Sequence, residues 1–295
     1  MIRNRKEKIL NGSKFIFWAI FPVILGISLV SLATFVFGNI DYAKMWTPKD
    51  NLATVVESFT GNKTKEEEKS KYFYLNNADE EPKVSAKAYL VGDLNTGEVI
   101  LSKNQEKKFP IASISKLMTA LVASEIAKED DIAQVSKKAL ATKGTNGNFT
   151  TGQKIKVNDL LYPLLLESSN DAAEIIAEHF ERNVFIQKMN QQAEILKMLE
   201  TSYEDPSGLS PKNQSTVSDT FKLTGYLNQK KQELLKITTM RSYSNKKQSW
   251  SNISKFLNKD GYMGGKSGYT DPAKQTVVSL FSLPLSKSGV PAKNK

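Results

Sequence analysis

Hydrophobic and polar positions divide the chain into zones before any motif is considered. Residues 15–38, FIFWAIFPVILGISLVSLATFVFG, hold no charge over 24 positions. As a helix they would reach about 36 Å, more than the roughly 30 Å hydrocarbon core of a bilayer. The run predicts one transmembrane helix, and Pro22 is tolerated there because lipid-embedded helices accommodate proline. A cleaved signal peptide is the competing reading, but the run is too long and no A-x-A site follows, which favours an uncleaved anchor. Residues 39–84 include NKTKEEEKSK and NNADEEPK, clustered charge without an apolar period, and predict a solvated stalk.

Regular periods begin near residue 85. SAKAYLVGDLNTGEVILSKN alternates polar and apolar around Asn95-Thr96-Gly97, the pattern of a β-hairpin. FPIASISKLMTALVASEIAKE, TTGQKIKVNDLLYPLLLESSNDAAEIIAEHFE and FIQKMNQQAEILKMLE follow a helical period, with Asn158 or Asp159 and later Asp171 as caps. Strand character returns at QTVVSLFSL. The pieces predict an α/β domain over residues 85–295, with an antiparallel sheet assembled from both ends and helices inserted between.

Charge adds direction to this outline. Residues 1–14 carry five basic side chains and one acidic one, so this cytoplasmic basic segment keeps the amino terminus inside and sends the rest out of the cell. The net charge is +10, but no basic-aromatic interleaving or nucleic-acid motif accompanies it, and no nucleic acid is expected as a partner. A basic outer domain suits an anionic polymer such as a bacterial cell wall.

Composition then restricts the chemistry. There is no cysteine, which excludes thiol nucleophiles, thiolate metal sites and disulfides. The one histidine, His179, falls in DAAEIIAEHF, on an ordinary helix surface. A hydrolase built from this chain must therefore move protons with lysine, carboxylate or tyrosine.

One lysine stands out. FPIASISKLMTALVA, residues 109–123, reads as a helix made for burial except for Lys116. Pro110 suits a helix start, which puts Ser113 in the first turn, and Lys116 lies one turn later on the same face. A snorkelling lysine on an amphipathic helix is the ordinary reading of one S-x-x-K match. An amine kept dry is the other. At an unperturbed pKa of about 10.4 only about one lysine in 2,500 is neutral at pH 7, equivalent to about 4.6 kcal/mol, and burial can remove that penalty. A neutral Lys116 would take the proton of Ser113.

Two further patterns follow in order: Ser168-Ser169-Asn170 and Lys266-Ser267-Gly268. Decoys exist in Ser244 with Lys247, Ser102-Lys103-Asn104 and Lys287-Ser288-Gly289, but they fall in a polar run, ahead of the nucleophile or in a tail. The ordered set resembles the S-x-x-K, S-x-N and K-T-G set of penicillin-recognising serine acyltransferases. The longer blocks PIASISKLMTA, LLYPLLLESSNDAAEIIAE, DPSGLSPKNQSTVSD and GGKSGYTDPA are similar to those of D-alanyl-D-alanine carboxypeptidases, the low-molecular-mass penicillin-binding proteins, over roughly residues 85–282. The resemblance implies a β-lactamase/DD-peptidase-like fold with an inserted helical subdomain. It implies Ser113 as nucleophile, Lys116 as base, and Ser168 as relay to the leaving D-alanine amine. Asn170 would hold the substrate amide and Lys116, and Lys266 would lie across the cleft as neighbouring cation and carboxylate anchor. Ser267 would add a hydroxyl where the family has threonine, Gly268 would admit substrate backbone, and the N–H groups of Ser113 and Tyr269 would form the oxyanion hole. The implied partners are a peptidoglycan stem peptide ending in D-Ala-D-Ala and covalent β-lactam inhibitors. No cofactor or metal is implied.

Departures from the pattern are specific. No E-x-x-L-N block supplies the deacylating carboxylate of a class A β-lactamase; Glu204 and Asp205 lie instead in YEDPSGL, so a long-lived penicilloyl-enzyme is expected. Lys274 stands where the family usually has glycine, and after QTVVSLFSLPL only SKSGVPAKNK follows, where the resemblance implies further strands and a terminal helix. A domain incomplete at its carboxyl end is therefore expected. A tethered wall-binding or β-lactam-sensing domain remains the non-enzyme alternative.

Overall fold

Helix-forming blocks occupy the middle of the domain and strands its two ends in the computed structural model, which describes residues 83–245 and 247–282. All of these belong to one compact unit, residues 52–295. The basic segment 1–14, the transmembrane run 15–38 and nearly all of the stalk lie outside the described residues. Among the described residues no helix is long and apolar enough to cross a membrane.

The expected hairpin forms from β1 (Tyr89–Gly92) and β2 (Val99–Lys103), paired antiparallel. Short ladders follow along the chain: β3 (Phe109–Pro110) pairs with β6 (Gln214–Ser215), β4 (Ile132–Gln134) with β5 (Lys154–Lys156), and β7 (Ser242–Ser244) with β8 (Ser249–Ser251). At the carboxyl end β9 (Tyr262–Thr270) pairs with β10 (Lys274–Phe281), with Val278 opposite Lys266 and Thr276 opposite Gly268. The expectation of one sheet joining both ends is corrected: among the described residues every ladder is two-stranded, and β1–β2 stays separate from β9–β10. Alternation identifies a strand but is silent on which neighbour it pairs with, so the sequence pattern could not settle this point.

The helices are α1 (Ser115–Ile126), α2 (Lys137–Leu140), α3 (Val157–Leu166), α4 (Asn170–His179), α5 (Arg182–Ile195), α6 (Val217–Lys230) and α7 (Gln232–Thr239). Helix α1 lies at the centre, against α3, α4 and α5, while α7 packs on both α3 and β9. Leu117, Met118, Ala120, Leu121 and Val122 are all buried, as befits a helix that is apolar around its whole circumference. A lysine on such a helix has no route by which its head group can reach water.

Local chemistry differs from expectation at two helix starts. Helix α3 begins after Lys156 with no side-chain cap, so neither Asn158 nor Asp159 caps it; Asp159 lies in its first turn. Helix α4 is capped by Ser169, whose Oγ accepts from Ala172 N at 3.0 Å, and Asp171 sits in the first turn. Both Ser and Asp accept N–H bonds there, and the sequence pattern alone does not decide between neighbours two residues apart.

The turn between β9 and β10 explains the Lys274 departure. Lys274 has φ +58, the left-handed region in which a Cβ crowds the following carbonyl at a cost of roughly 1–2 kcal/mol. Replacing Lys274→Gly removes that strain but raises the entropy of the unfolded chain, which offsets part of it, so a net gain of up to about 1 kcal/mol in urea-unfolding stability is expected. A loss of stability would show that the lysine side chain contributes more than its backbone strain costs.

Candidate active site

Ser113 is placed by a chain of main-chain restraints. β3 is tied to β6, Ile111 N donates to Asn213 O at 3.0 Å, and Ala112 takes a left-handed φ of +48. The chain then makes one 3-10 turn, Ala112–Ile114, before α1 begins at Ser115. Ser113 thus sits half-buried just ahead of the α-helix rather than inside its first turn.

Lys116 is 0% exposed. Its Nζ lies 2.9 Å from Ser113 Oγ, 2.7 Å from Asn170 Oδ1 and 2.7 Å from the carbonyl oxygen of Ser207. Burial drives the Lys116 pKa well below the ordinary lysine value, and the Lys266 charge adds to the fall, while Asp205 and Asp171 oppose it. The three partners then dictate the direction of proton flow. A neutral amine has two N–H bonds and one lone pair. Asn170 Oδ1 and Ser207 O can only accept, so both N–H bonds go to them and the lone pair faces the Ser113 hydroxyl. In that neutral form the amine can accept the Ser113 proton.

Proline shapes the second segment. The carbonyl of Pro163, inside α3, accepts from Glu167 N at 3.3 Å and from Ser169 N at 3.0 Å, and Ser168 between them has φ +64. This tight exit turns Ser168 and Asn170 toward Lys116 and Lys266. The Asn170 amide is oriented without ambiguity, because its Nδ2 donates to Lys143 O at 2.7 Å while Oδ1 faces the amine. The loop carrying Lys143 is fastened in turn: Gly147 N donates to Asp171, and Gly147 O accepts from Trp250 Nε1 at 2.9 Å. Asp171 also bonds the Ser169 hydroxyl.

β9 supplies the third segment. Lys266 Nζ donates to Ser168 Oγ at 2.9 Å and to Ser267 O at 2.7 Å, and burial lowers its pKa to about 7. It is therefore partly charged near neutrality, less firmly cationic than the resemblance implied. Ser267 and Tyr269 are exposed, and the Tyr269 hydroxyl donates to Asp271 at 2.9 Å. A Cβ at Gly268 would fall 2.6 Å from Ser113 N, so only glycine lets this strand run so close to the nucleophile.

All five candidate catalytic side chains, Ser113, Lys116, Ser168, Asn170 and Lys266, thus meet in one hydrogen-bonded cluster, with Gly268 beside Ser113. The decoys stay apart: Ser244, exposed on β7, bonds Ser249 on β8, Ser102 and Lys103 are exposed on β2, and Lys287 lies outside the described residues. His179 closes α4 against Phe180, with Asp131 3.9 Å away. Glu204 is engaged by Lys212 at 2.9 Å and by Ser210. Sequence reasoning missed the Ser207 carbonyl and the Trp250–Gly147 bond. A carbonyl leaves no trace in residue type, although the turn signature DPSGL beside the motifs was a usable pointer.

Ser113 against a dry lysine, with a second lysine on β9 bonded to Ser168, is the arrangement that the resemblance implied. The family model described as D-alanyl-D-alanine carboxypeptidase, peptidase family S11, matches residues 75–282, and the chain belongs to that family. It is 36% identical over 138 residues to a D-alanyl-D-alanine endopeptidase of Pseudomonas aeruginosa, 45% of this chain and 44% of that protein. It is 27% identical over 209 residues to the carboxypeptidase DacF of Bacillus subtilis, 66% of this chain and 53% of that protein. The chain spans about half the length of the curated relatives it matches. Among solved structures, D-alanyl-D-alanine carboxypeptidase from Mycobacterium tuberculosis superposes with TM-score 0.63 at 28% identity, covering 67% of this chain and 78% of that one. Penicillin-binding protein D2 from Listeria monocytogenes, in its cefotaxime-bound form, gives TM-score 0.59 at 28% identity, covering 67% and 89%.

The lowered Lys266 pKa makes stability depend on pH. Between about pH 7 and the ordinary value of about 10.4, the unfolded chain holds a proton that the folded one has released. Stability therefore rises with pH across that window, by up to about 1.4 kcal/mol per unit. Urea unfolding should show a steeper rise above neutrality in the wild type than in Lys266→Met; equal slopes would show that Lys266 keeps its proton in the fold.

Proposed function

We propose that the chain is a serine-type D-Ala-D-Ala carboxypeptidase that trims peptidoglycan stem peptides through an acyl-enzyme and is acylated by penicillin. The observation that carries this reading is the fully buried Lys116 amine 2.9 Å from Ser113 Oγ, with its other two partners both obligate acceptors. Lys116 takes the hydroxyl proton as Ser113 attacks the carbonyl of the penultimate D-alanine. The N–H groups of Ser113 and Tyr269 receive the developing oxyanion. Ser168, bonded to Lys266, passes a proton to the departing D-alanine amine, and Asn170 holds the substrate amide. Lys266 in its charged form, with Ser267, holds the terminal carboxylate. Water then releases the shortened peptide.

The charge-free run at 15–38 and the basic segment before it support a single-pass anchor, with the amino terminus in the cytoplasm and the domain outside. A second reading, cleavage of an internal D-alanyl bond, is favoured by the 34–37% identity to D-alanyl-D-alanine endopeptidases, above the 26–27% to the carboxypeptidases DacA and DacF.

Fluorescent penicillin should label the wild type and not Ser113→Ala, and Lys116→Ala should slow labelling by about 10²–10⁴-fold. Release of free D-alanine from a D-Ala-D-Ala pentapeptide is expected, and release from a cross-linked dimer alone would favour the second reading. Labelling without release from either would mark a β-lactam sensor. Rapid turnover of a chromogenic cephalosporin would instead mark a β-lactamase.

A further inference from the structure

One buried carboxylate beside the cluster has no part in the chemistry above. Asp205 is 7% exposed and lies in the turn between α5 and β6. Its Oδ1 accepts from Ser207 N and Ser207 Oγ, both at 2.7 Å, from Gly208 N at 2.6 Å and from Leu209 N at 3.3 Å. Its Oδ2 accepts from Ser210 N at 2.6 Å. A carboxylate so engaged has little capacity left to activate a water, and its work is to fold the turn around itself.

What the turn delivers is the carbonyl of Ser207, 2.7 Å from Lys116 Nζ. The turn is held against the nucleophile's segment from several sides. Asn213 Nδ2 donates to Asp205 O at 2.8 Å and to Ser115 Oγ at 3.0 Å, and Thr119 Oγ1 donates to Pro206 O at 2.6 Å. Gly208, with φ +86, abuts Ala112 so closely that any Cβ would collide with the Ala112 carbonyl.

We infer that Asp205 is a positioning residue for acylation: by fixing the Ser207 carbonyl it fixes the rotation of the Lys116 amine, and so aims the lone pair at Ser113. This rests on the reading of Lys116 as the base. With Asn170 Oδ1 as sole fixed acceptor, the amine turns about its Cε–Nζ bond and the lone pair leaves the serine. The other charges facing Lys116 are Lys266 from β9 and Asp171 from α4, and Arg182 of α5 faces Asp205. Asp205 thus has a second effect, since its negative charge holds the Lys116 pKa higher than burial and Lys266 would leave it.

The two effects separate in a pH profile of penicillin acylation with the full chain. Asp205→Asn should lower the acylation rate about tenfold to a hundredfold, and its acid limb should move to lower pH, because the lost charge no longer favours protonated Lys116. Asp205→Glu keeps the charge and misplaces the turn, so it should lose rate with the acid limb unmoved; it also serves alone if the asparagine variant does not fold. Wild-type rates in either variant overturn the inference. So does an unmoved limb in Asp205→Asn, with a rate loss no larger than the loss of folded protein by circular dichroism. If the wild type itself is not labelled, the reading of the base fails, not this inference alone.

Discussion

Everything in this domain is arranged around one amine kept out of water. An ammonium is costly in such surroundings, so burial holds the Lys116 pKa well below the ordinary lysine value and favours the free amine. The cost is carried by α1, whose apolar circumference is closed off by α3, α4 and α5, and by the acceptors that surround Lys116. Helices α3 and α5 touch no substrate in the proposed reaction, yet both help to keep Lys116 out of water.

The same principle divides the two lysines. Both are buried, but Lys116 also feels the charge of Lys266, whereas Lys266 is shifted by burial alone. Two ammonium groups in one dry cluster are both disfavoured: burial lowers the Lys266 pKa to about 7, and burial together with the Lys266 charge holds that of Lys116 well below its ordinary value. In the proposed reaction one serves a proton transfer and the other serves an anionic substrate group. Backbone strain at Ala112 and Ser168, both at positive φ, accompanies this division, because Ser113 and Ser168 project from sharp turns rather than from regular helix.

How much of this was legible in the sequence depends on what carries each feature. Side chains at fixed spacing were legible: Ser113 with Lys116, Ser168 with Asn170, and Lys266 with Gly268 are patterns of residue type, and the fold brings them together. The β1–β2 hairpin and β10 were legible through alternation, and α5 through its helical period. Partnership was not. Nothing in QTVVSLFSL tells which strand lies beside it, and among the described residues β9–β10 is a two-stranded ladder separate from β1–β2. The choice of Ser169 over Asp171 as cap, and the supply of a second acceptor by the Ser207 backbone, depend on geometry that residue identity leaves open. Lys274 is a mixed case: the departure from glycine was visible, and the left-handed conformation that gives it meaning was not.

The central claim concerns the protonation of one side chain, and it can be read without substrate. Nitrogen-15 labelling of lysine, with Lys116→Met used for assignment, lets the Nζ resonance of Lys116 be followed against pH in the intact protein. The account predicts a neutral amine over a range in which the surface lysines are all still ammonium ions. If Lys116 titrates together with those surface lysines, it is no base for Ser113 and the account is contradicted.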